Sequence, residues 1–411
     1  MNQHSPVTPE SIPPHIDPAR VVDYDMFADH RYAEEGGLHD GLYRLAEEAG
    51  RGMFWTPRNG GHWFITDHEL IFEAARTPEL FSNRLMSVPP MPPELEPKLI
   101  PLNLDAPDHG KYRLPLMRAF SPDRMRGLEP HIRAFAVELI EAVADKGACD
   151  FCDAVSEPLP IVIFMKMMGL DLSRRREFRE WTNQMLMPGI EDRALAHRNV
   201  TAMVAEVIAA RRVEREEDLV SWLLDSEIDG EPINDADMIA YCILLFAAGL
   251  DTVANSMAFG MDHLARDPAL QDRLRAEPSL IPDAVEEILR RYGVVLACRN
   301  VAHDGDFHGI ALKAGERVTL MLPLGNLDPA QFPDPTRFDV DRENKAHMTF
   351  NTGPHRCIGS HLARIELNVL FEEWLKRMPN VRHDAARPST YRAALILALA
   401  SLPLVWRRPS K

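Results

Sequence analysis

"FNTGPHRCIGSHLARIE", residues Phe350 to Glu366, sets one cysteine between glycines, just ahead of a stretch with helical spacing. The residues after Cys357 ("IGSHLARIELNVLFEEWLKRM") predict a helix. Cys357 therefore stands at or near a helix N-terminus, where unpaired N–H groups and the helix dipole favour negative charge. That setting stabilises a thiolate. Gly353 permits a turn that strains other residues, and Gly359 lets a bulky planar group lie close to the backbone. The pattern suits a thiolate facing outward against a large cofactor. On spacing alone His355, Cys357 and His361 could hold zinc, but zinc leaves the glycines and Phe350 without a purpose.

The rest of the chain bounds that reading. Its 411 residues can bury a large core, and the net charge of -16 argues against a phosphate-binding surface. Nucleic acid is excluded as a main partner. The N-terminus, "MNQHSPVTPESIPPHIDPAR", is polar and proline-rich, without the charged and apolar regions of a signal peptide or a membrane anchor. A soluble cytoplasmic protein is expected. Five cysteines (Cys149, Cys152, Cys242, Cys298, Cys357), odd in number and scattered, disfavour a disulfide framework. "CDFC" (Cys149 to Cys152) has metal-like spacing, but no second pair follows, so a short strand is expected there.

Most segments after an N-terminal arm (residues 1–25) read as helices, for example "GLHDGLYRLAEEAG" and "PHIRAFAVELIEAVADKG". "GMFWTPRNGGHWFITD" (Gly52 to Asp67) reads as a hairpin around Asn59-Gly60-Gly61. "ALKAGERVTLMLPLGNLD" and "RAALILALASLPLVW" read as further β segments. No repeat, low-complexity tract or long linker marks a boundary, so one mainly α domain with small β-sheets is expected over 1–411. "MIAYCILLFAAGL" (Met238 to Leu250) is too short for a membrane span before Asp251 and reads as a core helix, capped by "PINDAD". Asp251 and Thr252 are then expected mid-way along a buried helix, where an unpaired polar group costs about 1–3 kcal/mol. Such a position suggests function.

The set Phe350-x-x-Gly353-x-His355-x-Cys357-x-Gly359 resembles the haem-binding loop of the cytochrome P-450 family of haem-thiolate monooxygenases. "AAGLDT" (Ala247 to Thr252) resembles that family's oxygen-activating helix. Glu287-x-x-Arg290 in "EEILRR" is similar to its structural ion pair, and "FPDPTRF" (Phe332 to Phe338) to the segment whose Arg337 joins the pair. A Glu and an Arg three apart are by themselves a common solvated pair. Four motifs in order are specific. The resemblance covers nearly the whole chain and, through "RNGGHWFIT", "LARIELNVLFEEWL" and "LPLVW", runs closest to the bacterial camphor hydroxylase group.

The resemblance implies the family's triangular-prism fold, haem b (iron protoporphyrin IX) ligated by Cys357, and hydroxylation with O2. It implies His109, Arg113, Arg299 and His355 as contacts of the two haem propionates, with a surface charge as the competing account of each. Gly249 leaves room for dioxygen, Thr252 holds the reduced oxygen by a hydrogen bond, and Asp251 relays protons. The competing account of Thr252 is a bond back to the carbonyl four residues earlier. Leu244, Ala247, Ala248, Val295, Leu395 and Ile396 line the substrate pocket, closed by "LMSVPPMPPELEPKLIP" and "QMLMPG". Pro97 stands where the camphor enzymes hold the substrate carbonyl with a tyrosine, so a small apolar substrate is expected, a monoterpenoid or norisoprenoid. Electrons are expected from a 2Fe–2S ferredoxin fed by an NADH-dependent ferredoxin reductase. Its docking face is a basic patch of Lys111, Arg113, Arg118, Arg356 and Arg364 on a monomer. A peroxide-driven haem-thiolate enzyme has no need of the Asp251-Thr252 pair, and a non-catalytic haem or ligand-binding protein needs neither that pair nor a donor.

Overall fold

The structure is a computed structural model that describes residues 12–34, 36–185 and 190–407. About half of it is helical, with small sheets, as the sequence predicts. The predicted hairpin forms by antiparallel pairing of Met53–Thr56 with His62–Ile65. It extends into a five-stranded sheet in the order Met53–Thr56, His62–Ile65, Arg317–Met321, Leu296–Val301, Phe81–Ser82. Both hairpin strands are buried along their whole length, which their aromatic and β-branched residues explain. The C-terminal β segment makes Thr390–Arg392, Ala398–Ser401 and Pro403–Val405. The last of these pairs with Ala148–Asp150.

Two readings need correction. Cys149 lies in that short strand, but Cys152 opens a π-helical turn, Cys152–Ser156, so the pair does not share a strand. The stretch after Arg317–Met321 turns helical at Leu322–Asn326 instead of continuing as β, because Pro323 removes a ladder donor.

The core helix starts as expected, with the Asn234 side chain accepting from the Asp237 amide at 3.0 Å. It does not run unbroken through the site. One helix, Asp235–Gly249, ends and a second, Asp251–Arg266, begins, with Leu250 between them. Asp251 is thus at a helix start and not mid-helix. Polar side chains at the junction bond to carbonyls four residues back: Thr252 Oγ1 to Ala248 (3.1 Å), Asn255 Nδ2 to Asp251 (2.7 Å) and Ser256 Oγ to Thr252 (2.9 Å). Such bonds bend helices, and Gly249 adds flexibility at the break. By length and composition Asp235–Arg266 could cross a membrane, but more than half of its apolar window is buried in protein.

The second helix crosses Ile281–Arg291 and the helix that follows the cysteine, Ser360–Arg377. The crossing is tight at Gly260, where a Cβ would lie 2.6 Å from Phe371 Cζ and 2.9 Å from Ile288 Cδ1. This contact fixes the distance between the oxygen-side helix and the cysteine-side helix.

Candidate functional site

Cys357 precedes its helix by three residues, as the spacing predicts. Its amide donates to the Phe350 carbonyl at 2.7 Å, which folds the loop back on itself. The turn needs Gly353, whose φ is +71° and whose Cβ would be 2.7 Å from the Ala75 carbonyl. At Gly359 an added Cβ would meet Cys357 Sγ at 3.9 Å. Cys357 itself is exposed. The surrounding protein pushes its thiol up, opposed by the Gly359 N–H and then by Arg113, Arg356 and Arg364. The helix terminus and cations therefore soften the burial cost of a thiolate without reversing it. Iron bound here would complete the deprotonation, since a metal-bound thiol loses its proton outright.

Beside this loop four basic side chains crowd together. The rings of His109 and His355 are 4.0 Å apart, both buried. Arg299 is buried and gives one nitrogen to its neighbour's carbonyl, Cys298 O, at 2.8 Å. Arg113 reaches across to the Arg356 carbonyl. Burial drives His355 down to about 2, with His109, Arg299 and Arg113 adding to the effect. It drives His109 down to about 4 and Arg299 down to about 10. Yet His109 Nε2, His355 Nδ1 and Arg299 Nη2 have no hydrogen-bond partner although buried. Orphaned polar atoms of this kind call for a bound group. Two carboxylates can satisfy these three atoms and the guanidinium of Arg113, so the residues present fit the propionates of haem b.

On the other side, Ala248 and Gly249 are exposed to the interior space and Ala247 is half-buried, while Leu244 is buried. Val295 and Ile396 are brought together by a β-bridge, and the Leu296 amide donates to Leu395 O at 2.8 Å. These sequence-predicted lining residues thus come from two elements that meet. Of "QMLMPG" (184–189), residues 186–189 lie outside the described residues. The Pro97 carbonyl accepts from Asn103 Nδ2 at 2.8 Å.

Thr252 Oγ1 is engaged with Ala248 O, so the structure shows the helix-internal bond that the sequence left as one of two accounts. Asp251 turns into a cavity of about 270 Å³ shared with Glu157, Arg179, Asn255 and Arg392. Its Oδ2 has no hydrogen bond, Arg392 Nη2 is 3.7 Å away, and burial pushes its carboxyl up.

The ion pair Glu287–Arg290 is fully buried and bidentate, at 2.7 and 2.8 Å. Arg337 does not join it. The Arg337 side chain points to solvent, 3.7 Å from Asp339, and only its carbonyl accepts from Arg290. Arg342 is the third member, with Nε 3.1 Å from Glu287 Oε1 and three further bonds to Pro333, Asp334 and Arg337 carbonyls. Asp334, in the same loop, is left-handed with φ of +47°.

The basic patch is smaller than expected. Lys111 pairs with Asp229 at 2.5 Å, and Arg364 holds Glu286 at 2.5 and 2.8 Å while covering the Phe350 ring. Arg113 belongs to the basic crowd described above. Arg118 and Arg356 remain exposed, beside exposed Leu114 and Met117. The sequence reading also missed Arg342, Glu157, Arg179 and Arg392, which carry no motif. It missed Glu366 too, a buried acid on the cysteine-side helix whose carboxyl burial pushes up to about 8.

A thiolate loop, an unsatisfied basic crowd and a broken helix opposite define a haem-thiolate oxygenase. The family model for cytochrome P450 matches residues 189–397, and the chain belongs to the cytochrome P450 family. The probable cytochrome P450 127A1 of Sinorhizobium fredii is 32% identical over 406 residues, covering 96% of this chain and 97% of that protein. The steroid C26-monooxygenase of Mycobacterium tuberculosis is 33% identical over 396 residues, covering 91% and 98%. The crystal structure of CYP101J2 superposes with a TM-score of 0.89 at 33% identity, covering 96% of this chain and 99% of that one. The placement in the camphor-hydroxylase-like group of the family holds. The protein is a haem-dependent monooxygenase.

Proposed function

We propose that the protein hydroxylates a compact apolar terpenoid, a monoterpenoid or norisoprenoid, in the cytoplasm. Its electrons come from a 2Fe–2S ferredoxin reduced by an NADH-dependent reductase. What supports the substrate class is the chemistry of the residues that the family resemblance assigns to the pocket. Leu244, Ala247, Ala248, Val295, Leu395 and Ile396 are all apolar, and Pro97 offers no hydroxyl where a carbonyl-holding donor is expected. Shape alone then orients the substrate, since the missing hydrogen bond is worth about 0.5–1.5 kcal/mol. A relative is named a steroid C26-monooxygenase, which makes a steroid the competing substrate to test.

Bound haem supplies the thiolate-ligated iron at which dioxygen is reduced and cleaved. His109, Arg113, Arg299 and His355 hold its propionates, and Cys357 ligates its iron. Gly249 leaves room beside the helix break. Thr252 exchanges its bond to Ala248 O for one to the reacting oxygen, and Asp251 delivers protons to it. Glu287, Arg290 and Arg342 anchor the segment that leads into the cysteine loop. Arg118 and Arg356, flanked by Leu114 and Met117, offer the acidic ferredoxin a docking face that salt weakens. The chain works as one domain and as a monomer.

A spin-shift titration with a cyclic monoterpene ether, a norisoprenoid, camphor and a steroid tests the substrate class. The two compact compounds of low polarity are expected to bind best. A ranking with camphor or the steroid far ahead rejects the assignment. NADH consumption coupled to product in the presence of ferredoxin and reductase tests the electron source.

A further inference from the structure

The cavity beside Asp251 holds a second acid for which the reaction as described has no use. Glu157 lines it between the π-helical turn Cys152–Ser156 and the helix Pro158–Met167. Its Oε2 is 2.7 Å from Arg179 Nε, and Arg179 Nη2 is 2.5 Å from Asp153. Asp251 faces the same space with an unpaired buried oxygen. The wall between them is fixed, because Asn255 donates to the Asp251 carbonyl and accepts from the Leu399 amide at 3.0 Å.

The charges do not balance. Three carboxylates, Asp153, Glu157 and Asp251, face two guanidinium groups, Arg179 and Arg392. Cys152, the other titratable neighbour, is held neutral by burial and bonds Leu399 O. Because exposed Asp153 shares Arg179 with Glu157, the two inner acids are left short of one full positive charge, and an uncompensated charge on a buried group is costly. The two inner acids are the ones that burial pushes toward the protonated form, and the Asp251 charge raises Glu157 further. Side-chain exposure falls stepwise along the row, 68% for Asp153, 26% for Glu157 and 13% for Asp251. The order runs from solvent inward.

We infer that Glu157 and Asp251 share one proton across this cavity, making Glu157 the acid that recharges Asp251 from solvent. The inference rests on the monooxygenase reading above. In each relay, Asp251 gives the shared proton toward Thr252, Glu157 takes one from bulk solvent at the Asp153–Arg179 rim, and that proton passes to Asp251 through cavity water. The cluster ends as it began. Two relays match the two ferredoxin electrons of a turnover, which with O2 and substrate C–H give the alcohol and water.

The test uses the haem-loaded protein at rest, so it does not depend on turnover. Infrared difference spectra across a pH titration are expected to show, besides the band of buried Glu366 that Glu366→Gln removes, one protonated carboxyl near neutral pH that disappears as pH rises. Glu157→Gln and Asp251→Asn should each abolish that band, because either substitution balances the remaining charges. Arg179→Gln should retain it to higher pH. In turnover with ferredoxin, Glu157→Gln should slow product formation about a hundredfold, the low end for a positioned acid, with a larger solvent isotope effect. Glu157→Asp should restore both. A band that survives in Glu157→Gln, or its absence from the unsubstituted protein, overturns the inference even if hydroxylation proceeds normally. Should Glu157→Gln misfold, as shown by loss of the thiolate-type carbon monoxide spectrum, the Arg179→Gln titration decides.

Discussion

Arg342→Ala is expected to cost far more than Arg337→Ala, although Arg337 sits in the more recognisable motif. Removing the Arg342 side chain deletes a charge-assisted hydrogen bond to buried Glu287, worth about 1.5–3 kcal/mol. It also strips donors from the Pro333, Asp334 and Arg337 carbonyls. Glu287 keeps Arg290 and the Asp339 amide, so the loss stays below the roughly 3–5 kcal/mol of a broken buried pair. The sum is about 3 kcal/mol. Arg337→Ala leaves its carbonyl in place and removes only a solvent-facing side chain, for a change within about 0.5 kcal/mol. Thermal midpoints of the haem-loaded proteins, read by circular dichroism and by haem absorbance, make the comparison. Midpoints are compared because cofactor release breaks two-state behaviour. Arg342→Ala should fall by several degrees and shed haem sooner, while Arg337→Ala should match the parent. Equal losses in the two variants would refute the assignment of Arg342 as the third member.

Cys357→Ser should lose the thiolate-type spectrum of the reduced carbon monoxide complex together with hydroxylation, and a serine variant that keeps both is not ligated through this position. Thr252→Ala should keep substrate binding but send reducing equivalents to hydrogen peroxide, whereas Asp251→Asn should slow turnover; peroxide yield per NADH separates the two. Pro97→Tyr should tighten camphor binding by up to about tenfold, one hydrogen bond's worth, while leaving a monoterpene hydrocarbon unchanged in the same spin-shift titration. Arg118→Glu with Arg356→Glu should slow reduction by ferredoxin at low ionic strength and converge on the parent in high salt.

The cysteine loop was legible because its chemistry is local. A positive-φ glycine, a helix start and a thiol within seven residues specify one another through the backbone. The basic crowd of His109, Arg113, Arg299 and His355 was legible only through family resemblance, since its members come from three distant segments. What stayed hidden depends on where side chains point. Arg337 and Arg342 are five residues apart in one irregular loop, where no periodicity tells which of them faces Glu287. The break at Leu250 was hidden for a similar reason, as Thr252, Asn255 and Ser256 look like ordinary helix residues until their hydroxyl and amide groups reach back a turn. The basic patch shrank because Asp229 and Glu286, remote in sequence, neutralise Lys111 and Arg364.

The crossing at Gly260 bears on attempts to retune this enzyme by random mutagenesis. Every codon change that alters this residue introduces a Cβ, and both atoms it would strike belong to side chains that are themselves buried. The spacing of three helices would therefore change at once, displacing the cysteine side of the pocket from the oxygen side with no contact to substrate at all. Variants altered at Gly260 should fill the inactive fraction of any library whatever compound is screened, so libraries built on the pocket-lining positions gain by holding that codon constant.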